Sequence, residues 1–141
     1  MIAIDTNVLL RYLLEDDLEQ SAKAARLITG KRVVLVTDVV LVETIWTLRG
    51  KKYQLKKADL VVVIQALFQE PNLRFEDGQV VWAALNDYRK SKPVNGKEAD
   101  FADALIINKA KSTASAKNQV FRGVYTFDVA AQSLLGAKAP K

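Results

Sequence analysis

Residues 32–50 read RVVLVTDVVLVETIWTLRG, and this stretch decides the fold class. The run RVVLV at 32–36 is β-branched and apolar, as in a buried strand. Thr37 then offers a side-chain cap to a helix over 38–48, and Gly50 stops it. A strand passing directly into a helix is half of a parallel crossover unit.

The surrounding chain repeats the pattern. Residues 1–5 (MIAID) form a first apolar strand, followed by helices over 7–14 and 18–28, with Gly30 closing the second. Beyond the quoted stretch, 56–69 has apolar residues at helical spacing and ends before Pro71, 73–75 is a short strand, and 77–90 is a helix with Val81, Leu85 and Tyr88 on one stripe. A loop containing Pro93, Asn95 and Gly96 leads to a helix over 100–111, a strand over 120–127 (VFRGVYTF), a short helix over 130–135 and a frayed tail over 136–141. With 141 residues and no repeat or linker, the expectation is one α/β domain spanning 1–141 with a mostly parallel sheet.

Composition narrows the chemistry. The chain has no Cys and no His, which excludes disulfides, thiolate nucleophiles, imidazole bases and zinc sites built on those ligands. Carboxylates, hydroxyls, amides and Lys/Arg remain. The formal charge is +5, from 21 basic and 16 acidic residues, a balance suited to a polyanionic partner. The basic residues gather at 49–57 (RGKKYQLKK), 89–97 (RKSKPVNGK) and 109–117. The chain opens on an apolar run without a basic leader, and no apolar run approaches the ~20 residues of a membrane span, so a cytoplasmic protein is expected.

Four acids stand out inside apolar motifs: Asp5 ending MIAID, Glu43 in VVLVETIW, Asp103 in DFADALII, and Asp128 ending GVYTFD. In open parallel sheets, ligands bind beyond the carboxyl ends of the strands. Asp5 and Asp128 end two expected strands, Glu43 lies early in a helix that follows a strand, and Asp103 lies in the first turn of another helix. The four are therefore expected at one sheet edge, able to hold a hard cation. Crowded carboxylates repel one another unless a cation neutralises them. Magnesium takes about six oxygens, usually from one or two carboxylates plus water and phosphate.

Each acid also has a structural explanation. Asp5 and Asp128 fit as helix caps, and Asp100, three residues before Asp103, fits as an N-cap or dipole partner. Glu43 resists that account, because a glutamate within an apolar run is expected to be buried, and burial requires a partner. A salt bridge to Arg11 or Arg49 would supply one. Thr6, Asn7, Thr37, Thr44 and Thr126 are candidates for orienting the carboxylates or water. Trp46, Phe68, Trp82, Phe101 and Phe127 read as core, while Tyr53 beside Lys51 and Lys52 could stack on a base.

The motifs IDTNVLLRYL, VET, DFADALI and TFD, in this order and spacing, resemble those of the PIN-domain ribonucleases, most closely the VapC toxins of bacterial and archaeal toxin–antitoxin modules. The resemblance implies a PIN-like three-layer fold with a central, mostly parallel sheet flanked by helices. It implies an endoribonuclease dependent on Mg²⁺ or Mn²⁺, with Asp5, Glu43, Asp103 and Asp128 as metal-binding and catalytic residues, and it leaves Asp100 as a less secure ligand. An RNA substrate, a VapB-type antitoxin and a homodimer follow as expected partners. Metal-activated water is a natural way to cut a phosphodiester without His or Cys.

Other classes fit less well. A phosphoacceptor domain wants an acidic pair near the first strand, where this chain has Ile2, Ala3 and Ile4. A haloacid-dehalogenase phosphatase wants DxD, and position 7 is Asn. A noncatalytic RNA-binding or scaffold module of the same fold is the alternative, distinguished by RNA cleavage with and without Mn²⁺.

Overall fold

The computed structural model describes all 141 residues, which divide into two compact units, Met1–Gly78 and Gln79–Lys141. The fold is α/β, and every ladder between its strands is parallel.

The first unit runs β1 (Ile2–Ala3), α1 (Thr6–Leu14), α2 (Leu18–Ile28), β2 (Val34–Val36), α3 (Asp38–Arg49), α4 (Lys57–Gln69) and β3 (Leu73–Phe75). Its sheet has the order β1-β2-β3, with Ile2 opposite Val34 and Val34 opposite Leu73. Parallel strands need crossovers, and the α1–α2 and α3–α4 pairs supply them. Val34, Val36, Leu9, Leu41, Leu60 and Ile64 are buried in its core.

Local chemistry sets these boundaries. The expected strand over 1–5 is shorter because Asp5 leaves the ladder to cap α1; Ile4 still donates to Leu35 O at 3.3 Å. The span of α2 is as expected: Asp17 caps it, accepting from Gln20 N at 3.0 Å, and Gly30 follows the last turn. A Cβ at Gly30 would lie 2.8 Å from Arg26 O, so only glycine passes here without backbone movement. Thr37 caps α3 as expected, accepting from Val40 N, and Gly50 terminates that helix.

The second unit contains α5 (Gly78–Lys90, whose first residue belongs to the preceding unit), α6 (Phe101–Ala116), β4 (Val124–Tyr125), α7 (Val129–Gln132) and β5 (Ala137–Lys138). Tyr88 and Phe101 meet edge to face, with ring centroids 6.0 Å apart, beside buried Val81, Leu85 and Leu105. The loop before α6 holds a two-residue turn: Val94 and Lys97 exchange backbone bonds while Asn95 and Gly96 take positive φ.

Four elements of this unit depart from expectation, the first being the short helix expected over 130–135, which is α7 over Val129–Gln132. Helix α6 runs to Ala116 because residues 112–116 keep helical bonding without an apolar stripe to announce it, until Asn118 turns left-handed. The strand expected over 120–127 shrinks to Val124–Tyr125, introduced by Gly123 at φ 111°. Residues 137–138, expected in a frayed tail, instead pair with β4 as β5. No helix is long and apolar enough to cross a membrane.

Candidate metal-binding site

Parallel pairing puts the carboxyl ends of β1, β2 and β3 along one edge of the first unit. Asp5 follows β1 there. Its backbone is extended (φ −92°, ψ 177°), and Oδ1 accepts from Val8 N at 3.0 Å, capping α1. The capping explanation of Asp5 therefore holds, but it uses one carboxylate oxygen, and the side chain remains exposed.

Glu43 reaches the same place from α3. Its Oε1 accepts a hydrogen bond from Thr6 Oγ1 at 3.2 Å, and Thr6 is the residue after Asp5. Glu43, far along the chain from Asp5, is thus held at the start of α1 by the hydroxyl of the residue that follows Asp5. The expectation that Glu43 is buried is corrected: it is exposed. Helix α3 buries Val40, Leu41, Thr44, Ile45 and Leu48, whereas Val39, Glu43 and Trp46 face outward. Nor does Glu43 pair with Arg11, whose Nη1 donates to both carboxylate oxygens of Asp16 at 2.8 and 2.9 Å. That bond holds the Asp16 carboxyl below its usual range.

One acid at this edge escaped the sequence reading. Glu76 follows β3 directly, and its Oε2 accepts from Asp38 N at 2.6 Å, anchoring the first turn of the helix that carries Glu43. The signal was present, an acid directly after a β-like run, as at Asp5. Behind it, Tyr12 donates to Glu70, and burial followed by this bond pushes the phenol up to about 12.

The second unit gathers the other pair by different means. Asp100 and Asp103 form a reciprocal capping box at the start of α6, with Asp103 Oδ2 accepting from Asp100 N at 2.9 Å. Asp128 caps α7, its Oδ1 accepting from Ala130 N at 2.9 Å and Ala131 N at 3.2 Å. A cavity of about 160 Å³ is lined by Asp103, Thr126 and Ala131, among others. Thr126 Oγ1 accepts from Asp128 N at 3.0 Å, so both lining residues are bonded to Asp128. Asp103 lines this space, and Asp128 is bonded to two other residues that line it.

Of the supporting residues, Thr6 bonds a carboxylate as expected. Thr126 bonds the backbone of Asp128 rather than its carboxylate, Thr37 caps α3, and Thr44 is buried with its hydroxyl on Val40 O. Asn7 lines a groove between α1 and α2 with Asp5, Arg11 and Lys23.

The donor set is all carboxylate and hydroxyl oxygen, the chemistry hard divalent cations prefer. No three Asp or Glu side chains form one ready-made cation group. Magnesium does not demand one, since it commonly keeps several waters and takes one or two carboxylates with substrate phosphate. Asp5 and Glu43 in the first unit, and Asp103 and Asp128 in the second, each offer that contribution.

No curated protein matches the chain. The model of the PIN-domain family matches residues 2–128, a span containing all four acids, and the chain belongs to the PIN-domain family.

Proposed function

We propose that this PIN-domain protein is a metal-dependent endoribonuclease of the VapC toxin type. Asp5, Glu43, Asp103 and Asp128 supply carboxylate oxygens to Mg²⁺ or Mn²⁺, and a cognate VapB-type antitoxin restrains the activity. The observation that carries this reading is the disposition of Glu43. Glu43 neither pairs with a cation nor caps a helix: it is exposed and accepts from the neutral hydroxyl of Thr6, the residue after Asp5.

The bound ion would polarise a phosphodiester and make water a better nucleophile near neutral pH. Asp5, fixed by its cap to Val8 N through one oxygen, is exposed and keeps its second oxygen for the ion. Glu43 orients the attacking water and accepts its proton, with the Thr6 hydroxyl fixing the carboxylate's direction. Asp103 is oriented by the capping box and Asp128 by two backbone N–H groups, so neither depends on a flexible side chain for its aim. In a chain lacking His and Cys, these carboxylates are the proton acceptors available at the site.

The basic stretches at 49–57 and 89–97 suit an RNA backbone. The antitoxin would present an Arg or Lys between apolar anchors, forming charge-assisted bonds to carboxylates such as Asp5 and Asp103. A homodimer in the cytoplasm completes the proposal. Copurification of the chain with the product of the adjacent gene tests the toxin assignment. A small protein that binds tightly and abolishes cleavage is expected. A stable, active enzyme without such a partner would remove the toxin assignment and leave the nuclease reading.

A further inference from the structure

Trp46 was expected in the core, yet 53% of it is exposed. It sits three residues after Glu43, so the two are neighbours on the surface of α3. Val39, four residues before Glu43 and on the same face, is 67% exposed. The opposite face of α3 carries the buried residues, so packing does not explain a tryptophan here. The helix then runs into Arg49, Lys51 and Lys52, all exposed. Along α3 and the turn that follows it the order is carboxylate, aromatic ring, cationic run, with about 4.5 Å of helix axis between Glu43 and Trp46 and the same again to Arg49, and Lys51 and Lys52 just beyond the helix end.

We infer that Trp46 is a base-stacking platform that seats a nucleotide of single-stranded RNA beside the Glu43 carboxylate, with Arg49, Lys51 and Lys52 receiving the adjoining phosphates. The inference rests on the RNA substrate proposed above and adds a positioning residue to it. Tryptophan offers a broad π-face to any base, so the contact is tolerant of sequence while fixing where the strand lies. A protein partner is the competing occupant of an exposed apolar ring. The cationic run at and just after this helix end favours the polyanion, because phosphates gain from each of those charges.

Binding of a fluorescein-labelled single-stranded RNA nonamer in EDTA tests this without turnover. Trp46→Ala is expected to bind roughly 5- to 150-fold more weakly than the native chain. Trp46→Phe is expected within about threefold of it, since the ring is kept. Trp46→Leu keeps apolar bulk without a π-face and should fail like Ala. An abasic nucleotide at the stacked position should weaken binding by the native chain and have no further effect on Trp46→Ala. In a Trp82→Phe background, RNA should quench the fluorescence of Trp46, a readout independent of how the alanine variant folds.

Native affinity in Trp46→Ala or Trp46→Leu, no RNA binding by the native chain, or unquenched Trp46 at saturating RNA would each overturn the inference. So would a Trp46→Ala protein whose only defect is lost self-association or lost partner binding, which would assign the face to a protein. Absence of Mn²⁺-dependent cleavage by a native chain that binds RNA in this way would refute the nuclease reading and leave the platform intact.

Discussion

The carboxylate pairs of the two units are built on opposite principles. In the second unit, Asp103 and Asp128 are both integral to helix starts, one in a reciprocal capping box and the other on two backbone N–H groups. In the first unit, Asp5 caps a helix, whereas Glu43 has no backbone partner and is steered by a single hydroxyl. Capping positions an acid accurately and makes it indispensable to its helix. A hydroxyl-held glutamate contributes little to the fold, so its placement calls for a functional explanation.

This contrast orders the expected effects of substitution. The largest concern the caps as candidate ligands. Asp103→Asn and Asp128→Asn preserve shape and cap chemistry, and should cut RNA cleavage by about two orders of magnitude or more, beyond the 10- to 100-fold typical of partners outside the ligand shell. Single-turnover cleavage of these variants measures the effect, and full activity in either folded variant would detach that residue from the chemistry. Thr6→Val comes next. Loss of the hydroxyl frees the Glu43 side chain, and roughly tenfold slower cleavage is expected with nearly unchanged thermal stability.

The same contrast predicts different stability effects within the first unit. Asp5→Ala removes the α1 cap and should cost about 1 kcal/mol, while Asp5→Asn should cost only a few tenths. Glu43→Ala, removing an exposed side chain, should stay within about 0.5 kcal/mol of the native chain. Urea titrations of the three would compare them directly. Equal losses for Asp5→Ala and Glu43→Ala would contradict the assignment of Glu43 to function rather than fold.

A further effect, remote from both carboxylate pairs, is alkaline. Tyr12 has a model-compound value of 10.0 and is raised to about 12 in the fold. Between those values the unfolded chain loses the phenol proton while the folded chain keeps it, so this tyrosine's contribution to stability is complete below pH 10 and is lost as pH rises towards 12. Solvent screening limits the amount to the order of 1 kcal/mol. Tyr12→Phe should lose less stability than the native chain between those pH values in paired denaturant titrations.

Much of the first unit was legible from sequence because each boundary has a local cause: Asp17 and Gly30 bracket α2, and Thr37 and Gly50 bracket α3. The second unit was harder to read. The strand β4 needs only two residues because its partner β5 comes from residues expected to be frayed, a non-local pairing with no local signature. Periodicity also failed at VVLVETIW, where apolar residues occur on both faces of α3 and the pattern does not say which face is covered. Trp46 was read as core for that reason; Trp82 and Phe127, in other elements, were read as core as well, and all three are about half exposed or more. Residue type and order identified Asp5, Glu43, Asp103 and Asp128 as candidates, but the hydroxyl that holds Glu43 beside Asp5 became specific only in the folded chain.

The central claim is that Glu43, with Asp5 beside it, serves metal-dependent RNA cleavage. The most direct measurement is cleavage of a fluorogenic single-stranded RNA by the native chain and by Glu43→Gln, each with Mn²⁺ and with EDTA. Cleavage is expected only for the native chain with Mn²⁺, and a folded Glu43→Gln protein should be at least about 100-fold slower under the same conditions. Equal cleavage by Glu43→Gln, or cleavage undiminished by EDTA, would contradict that claim.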